Sequence, residues 1–340
     1  LDAYYLTDSD LVQFFSWLEK RGDLFVATRD EEGNVGVVPY SETGDFKYPG
    51  VRSFQPLKPF FFSALEEVAE YPSTESPVKE SKPFAIVGAA GCDLRAIEAL
   101  DKVFLEGDFK DPFYEERRSK SLIIGFDCTE PLETCFCTLV GVQPYGEKGF
   151  DLNLTKVEGG YVVEVGTDKG KDAVEANKGL FKPATENHLS QREGIRSKTK
   201  ELVEKQAAEY KPPKGWQEVL AKAFEDDAWS KNVETCVECG ACLFICPTCQ
   251  CFLLYDQKTQ DRYKRLKMWD TCAYGGFARV AGGANPRGHL VERFRHRYYH
   301  KLDYFPKNYG FDGCTGCGRC IVACPGKIDM RKVLKEICKS

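Results

Sequence analysis

Cys236, Cys239, Cys242 and Cys246 stand in CVECGACLFICP, and Cys314, Cys317, Cys320 and Cys324 stand in CTGCGRCIVACP. Both stretches read C-x2-C-x2-C-x3-C-P, a run that holds cubane [4Fe-4S] clusters. Three closely spaced thiolates on a tight turn wrap one face of a cluster, and the fourth, a helical turn further on, reaches across to the other cluster. The pattern predicts cluster I on Cys236, Cys239, Cys242 and Cys324, and cluster II on Cys314, Cys317, Cys320 and Cys246. Gly240 and Gly318 let the backbone bend around the metal, and Pro247 and Pro325 turn the chain after each fourth cysteine. Zinc pairs two C-x2-C knuckles rather than two such runs, and a disulfide framework suits a short secreted chain, which one of 340 residues is not.

Cys92, Cys128, Cys135 and Cys137 are the cysteines of the first 235 residues. Four is the number a cluster needs. Cys92 and Cys128 each follow an apolar strand-like run, and the carboxyl ends of parallel strands open at one edge of a sheet. They are expected to converge there, with Cys135 and Cys137 supplied by the next loop, as a third [4Fe-4S] site. The alternatives are buried core cysteines or a structural zinc.

Cys249, Cys251, Cys272 and Cys338 remain. The first two follow the first run directly, in CPTCQCF, and are expected to pack beside cluster II and tune it. The alternative makes Cys249, Cys251 and Cys272 a thiol- or sulfur-reducing site beside a cluster, or a further metal site. Cys338 is read as a plain thiol. His296 and His300 share a helix face without the H-E-x-x-H carboxylate of a zinc site, and Arg293, Arg295, Arg297 and Lys301 make that helix a charged one near a cluster or a partner. No nucleophile elbow or Walker loop is present, so no catalytic residue is assigned.

Among the elements that must position these residues, a helix is predicted over Leu11–Leu18 and strands over Leu24–Thr28 and Val35–Tyr40. Residues 41–83 read as irregular, with a linker at Tyr71–Pro83. Phe84–Val87, a turn at Gly88–Cys92, a helix over Leu94–Phe104 and a strand over Leu122–Phe126 make a parallel α/β unit. Gly88–Gly91 lacks the full G-x-G-x-x-G of a dinucleotide site and is read as close strand-to-helix packing. A hairpin spans Phe150–Val165, residues 187–230 read as helical with a break at Pro212–Pro213, and Trp229 is expected to pack against the first cluster run. The 67 residues between Cys246 and Cys314 exceed the spacer of compact two-cluster domains and favour an α-helical dicluster arrangement. The expected architecture is therefore α+β and multidomain: an α/β domain over 1–186, a helical connector over 187–230, and a mainly α-helical dicluster ferredoxin-like domain over 231–340.

No run of about 18 apolar residues exists, so no membrane span is expected. LDAYYLTDSD lacks a basic region followed by an apolar core, so no export signal is expected. Sixteen cysteines in such a chain fit a reducing, anaerobic cytoplasm. Residues 236–340 carry 18 Lys and Arg against 9 Asp and Glu, a net +9, while the rest carries −14. Positive charge around an anionic cluster accounts for this more directly than nucleic acid does.

GCDLRAIEALDKVF, DPFYEERR, CTEPLETCFC, CPTCQCF and RFRHRYYHKLDYFPKNYGFDGCTGCGRC resemble the iron–sulfur beta subunits of cytoplasmic sulfhydrogenases and the corresponding iron–sulfur subunit of anaerobic sulfite reductase. The likeness covers most of the chain from about residue 84 and, more loosely, the first part. It implies a protein that relays electrons between a flavoprotein handling NAD(P)H, which would carry FAD, and a catalytic partner of hydrogenase, sulfite reductase or heterodisulfide-reductase type. It also implies a hetero-oligomer with no turnover by the isolated chain.

Overall fold

The computed structural model describes residues 2–42, 46–73 and 75–339. Residues 43–45 and 74 of the stretch expected to be irregular, and both terminal residues of the expected domains, lie outside the described residues. The strands are β1 Ala3–Thr7, β2 Asp23–Arg29, β3 Val35–Pro39, β4 Leu65–Tyr71, β5 Phe84–Ala90, β6 Ser121–Phe126, β7 Leu152–Val157, β8 Gly160–Val165, β9 Lys182–Pro183, β10 Phe252–Thr259 and β11 Arg262–Trp269. Two compact units form. The first comprises Leu1–Leu57, Glu80–Gln206 and Thr315–Cys317, and the second Lys58–Lys79, Ala207–Cys314 and Gly318–Ser340. Two short segments thus leave the blocks expected from sequence order, each for a backbone-pairing reason given below.

The first unit is built on one mixed sheet ordered β3-β2-β5-β6-β7-β8-β1-β9. The steps β2–β5, β5–β6 and β6–β7 are parallel, and the outer steps are antiparallel. The expected α/β unit is present: β5 leads into helix Gly91–Phe104, and helix Pro112–Lys120 leads back to β6. Asp111 starts the second of these helices by accepting from the Phe113 and Tyr114 N–H groups at 3.0 Å each, with Pro112 at the first helical position. Leu6, Phe14, Phe15, Val26, Val87, Ile124, Leu154 and Val163 form the core, each worth about 1.5–3 kcal/mol when fully buried. Gly91 opens its helix because nothing larger fits: a Cβ there would stand 2.5 Å from the Gln143 and Tyr145 carbonyl oxygens. Close packing, as expected, is the use of that glycine.

The second unit mixes helices with a three-stranded antiparallel sheet ordered β10-β11-β4. The hairpin of β10 and β11 lies inside the stretch expected to be mainly α-helical, and β4 lies inside the stretch expected to be irregular. β4 takes its partner from far along the chain, Met268 facing Leu65 and Tyr263 facing Tyr71, and a pairing so distant leaves no local signal. Helices Ala228–Val233, Leu290–Tyr299 and Met330–Ile337 bury Trp229, Tyr298, Leu302, Val333 and Leu334. Trp229 does not line a cluster cavity. It lies 5.2 Å from the Tyr298 ring, and its indole N–H donates to the Ala223 carbonyl at 2.6 Å. His289 and Glu292 form a capping box on helix Leu290–Tyr299, which continues as a π-helical turn over His300–Tyr304.

Candidate metal centres

In the second unit, Cys236, Cys239, Cys242 and Cys324 line one cavity with Arg293 and Arg297. These are the four cysteines grouped as cluster I from spacing. The Cys236 thiol is pushed up first by burial and then by Cys242, Cys324 and Cys239, while the Glu238 N–H pulls it down. The Arg293 guanidinium is fully engaged, donating to the Ala273 carbonyl at 2.9 Å, the Gly288 carbonyl at 2.6 Å and the Glu238 carboxylate at 2.6 Å. Arg297 differs: its buried Nε has no protein partner, nor has the buried Tyr298 hydroxyl. Both side chains feel the charge of Cys242 and Cys320. Two orphaned buried donors near thiolates are what inorganic sulfide would satisfy.

Of the cluster II cysteines, Cys246, Cys314 and Cys320 belong to the second unit and Cys317 to the first. Lys301 Nζ stands 3.2 Å from Cys246 Sγ and 2.9 Å from Thr248 Oγ1. The Cys246 thiol is held well below its ordinary value, chiefly by the Cys249 thiol donating to it and then by Lys301, against burial. Cys249 therefore packs beside Cys246, as expected. Arg293, Arg297 and Lys301 recur every four residues along one helix face and are all buried. Arg295 points elsewhere, 3.7 Å over the Phe224 ring. His296 and His300 stack at 6.0 Å. Burial lowers each to about 4.

In the first unit, Cys92, Cys128, Cys135 and Cys137 line a single cavity together with Arg52, Gly316 and Cys317. Cys92 and Cys128 stand just after β5 and β6, as the strand-end geometry led one to expect. The loop carrying the other two is fixed by helix Glu186–Ala207, whose Gln206 donates to the Leu132 and Cys135 carbonyls at 2.7 and 2.8 Å. The segment Thr315–Cys317 joins this unit because the Phe136 N–H donates to the Gly316 carbonyl at 2.8 Å. Arg52 donates to the Cys317 carbonyl at 2.5 Å and leaves its buried Nη2 with no protein partner. Burial pushes the Cys128 and Cys137 thiols up, with Cys135 adding to both, and Asp127 and Asp93 add to Cys128.

Sequence reasoning missed Arg52 and Lys58, both buried. Lys58 Nζ donates to the Phe244 and Cys249 carbonyls at 3.1 Å each. Their signal was single cations inside the apolar run VRSFQPLKPFFF, where a charge is tolerated only with partners.

Among the described residues no group of three or more His, Cys, Asp or Glu closes around a single metal ion, as the ~2.3 Å zinc–sulfur bond would require. Each cavity has room for a small guest, ≈ 40 Å³ in the second unit and ≈ 20 Å³ in the first, against the ~10–15 Å³ that one water needs. Four thiols spread around such a space fit a polynuclear group, and the orphaned donors fit its sulfide.

A 4Fe-4S dicluster domain model matches residues 235–328, which contain all eight cysteines of the two runs. The sulfhydrogenase 2 subunit beta of Pyrococcus furiosus is 37% identical over 331 residues, covering 96% of this chain and 95% of the relative. No helix among the described residues is long and apolar enough to cross a membrane. With a dicluster domain inside a likeness that runs nearly end to end, the chain belongs to the family of sulfhydrogenase beta subunits, iron–sulfur proteins of oxidoreductase complexes.

Proposed function

We propose that the chain is the electron relay of a soluble multi-subunit oxidoreductase of the cytoplasm. It would stand between a catalytic partner of the hydrogenase type and a flavin-bearing, NAD(P)H-linked subunit. Cys236, Cys239, Cys242 and Cys324 would hold one [4Fe-4S] cluster, Cys314, Cys317, Cys320 and Cys246 a second, and Cys92, Cys128, Cys135 and Cys137 a third. Bound there, the clusters supply one-electron redox chemistry.

The observation that carries this reading is that two complete sets of four cysteines, one chosen from spacing and the other from ligand count and strand-end placement, each line one cavity. The protein's own part is to hold, insulate and tune. Arg297, Tyr298 and Arg52 offer donors to the sulfides. Cys239 is exposed, so one end of the relay is within reach of a partner. In the first unit Cys317 lines the cavity of the proposed third cluster.

Iron and acid-labile sulfide counts on protein purified without oxygen test the assignment. About twelve of each per chain are expected, four for each cubane, with reduction by NADH in the presence of the flavoprotein. About eight would remove the third cluster, and none would remove the reading altogether.

A further inference from the structure

The hairpin of β10 and β11 ends where two thiols meet. Its ladder closes with Phe252 opposite Trp269. Beyond it, the Asp270 N–H donates to the Cys251 carbonyl at 3.0 Å, so the pairing continues one step past the strands. Thr271 is fully buried, and its Oγ1 accepts from the Ala273 N–H at 3.2 Å, which turns the chain back. Cys272 then gives both its backbone N–H and its thiol to the Cys251 sulfur. Neither cysteine forms a disulfide, and neither belongs to the three sets of four described above.

We propose that Cys251 and Cys272 are a redox-active dithiol–disulfide couple, a two-electron station that shares Lys301 with the cluster ligand Cys246. The assignment rests on the cluster reading above for its electron acceptors. On oxidation the two S–H bonds break, one S–S bond forms, two protons leave to solvent, and two electrons pass singly to two oxidised iron–sulfur clusters. Reduction reverses every part: two electrons return, two protons are taken up, and the S–S bond opens.

Three features suit the pair to this role. The thiols are neighbours where the hairpin's pairing ends, with Asp270 bonded to the Cys251 carbonyl, and a bridge requires such neighbours. The contact with Cys272 holds the Cys251 thiol down at about 7, which gives a substantial thiolate fraction near neutral pH, the form that exchanges. The Lys301 ammonium faces both thiols and also stands 3.2 Å from Cys246 Sγ. One buried cation therefore feels the charge of the pair and of a cluster ligand at once. A hydride donor gives two electrons together and a cubane takes one, so a dithiol can store what a single cluster cannot.

The test poises the full chain, purified without oxygen, at a series of potentials with redox mediators. Each sample is quenched in acid denaturant containing N-ethylmaleimide, and its peptides are identified by mass. The expected result is one two-electron transition in which Cys251 and Cys272 pass together from maleimide-labelled to cross-linked with each other, while Cys338 stays labelled throughout. In Cys251→Ser, Cys272 should remain labelled at every potential, with cluster spectra unchanged. Labelling of both cysteines at all potentials overturns the proposal, as does cross-linking of either to a different cysteine. A preparation that contains no iron would sink the cluster reading instead, since the mediators alone still report whether the pair closes.

Discussion

Two cavities in this chain present the same ligand set, four cysteines, in opposite electrostatic settings. In the second unit the cavity of Cys236, Cys239, Cys242 and Cys324 is walled by Arg293 and Arg297, both buried. In the first unit the cavity of Cys92, Cys128, Cys135 and Cys137 has one cation on its wall, Arg52, while the buried carboxylates of Asp93 and Asp127 push the Cys128 thiol up. Exposure differs as well: Cys239 is exposed, whereas Cys92, Cys135 and Cys137 are buried. Cluster potential follows local charge, hydrogen bonding to sulfur and solvent access. Cations and water both stabilise the extra negative charge of a reduced cluster. Identical ligands therefore do not mean interchangeable stations, and the first unit should hold the station of lower potential.

Metal removal should separate the two settings most strongly. A cavity whose thiols are pushed up in pKa can empty to four neutral S–H groups that suit an apolar wall. A cavity walled by Arg297 cannot, because Arg293 keeps Glu238 but emptying the site leaves the buried Arg297 guanidinium without its anion, at a cost of about 3–5 kcal/mol. Stripping iron with a chelator should thus loosen helix Leu290–Tyr299 while β5 and β6 stay protected, as read by amide hydrogen exchange. Single replacements should repeat the pattern. Cys128→Ala and Cys239→Ala should each lose about four irons, but only the second should lower the thermal midpoint of its own unit markedly. Equal losses of stability in both units would erase the contrast.

The next largest effect falls on the wall shared by the third set of cysteines and Cys317. Gly316 has φ +62°, and a Cβ on it would stand 2.4 Å from Cys137 Cα and 2.6 Å from the Phe136 carbonyl carbon. These are backbone atoms that cannot swing aside. Gly316→Ala should cost about 1–3 kcal/mol and loosen the loop of Cys135 and Cys137. The expected readout is loss of iron from the first unit at a chelator concentration that leaves the second unit loaded. Unchanged loading in both units would show that Thr315–Cys317 is not what braces that loop.

How much of this could be read before the fold was known depends on how local each signal is. The eight cysteines of the two runs are local, and the C-x2-C spacing names their chemistry outright. Cys92 and Cys128 could be placed because a strand end is visible near the end of an apolar run: β6 ends with Leu122–Phe126 as suggested, while β5 runs three residues past Phe84–Val87, to Ala90. The basic face of Arg293, Arg297 and Lys301 was visible as charge on a helix, but which of its cations are buried was not. Arg295 carries the same charge in the same run and points the other way. Arg52, Lys58 and β4 were lost for one reason. Their partners lie far along the chain, so neither spacing nor periodicity near residues 52–71 records them. The hairpin of β10 and β11 went unread within a stretch expected to be mainly α-helical, because RYKRLKMW is charged on both faces and shows no clean alternation.

Replacing the orphaned donors one at a time bears directly on the difference in potential. Arg297 Nε and Arg52 Nη2 are buried without a protein partner, one on each cavity. A charge-assisted hydrogen bond to a cluster is worth about 1.4 kcal/mol, which for one electron is about 60 mV. Because the bond is stronger to the reduced cluster, its loss should lower the potential. Arg297→Met should lower the potential of the second unit's exposed cluster, and Arg52→Met that of the first unit's, each followed by EPR-monitored titration. If Arg52→Met moves its cluster by more than Arg297→Met moves the other, then local cation number does not rank the two sites.

The smallest expected effect is a pH dependence confined to the second unit. Burial holds His296 and His300 down at about 4, against ~6.5 in an unfolded chain. The unfolded chain therefore takes up protons first as the pH falls, and protonation favours unfolding. Stability contributed by the neutral rings is intact above pH ~6.5 and is lost progressively down to about pH 4. Each ring keeps some contact with solvent, so the loss is smaller than the full shift implies, about 1 kcal/mol apiece between pH 7 and pH 5. His296→Gln with His300→Gln should flatten that fall in thermal midpoint. Hydrogen exchange along β5 and β6, which contain no histidine, should not follow it. An acid response of equal size in the first unit would place the sensitivity in the cysteine sites rather than in the stacked rings.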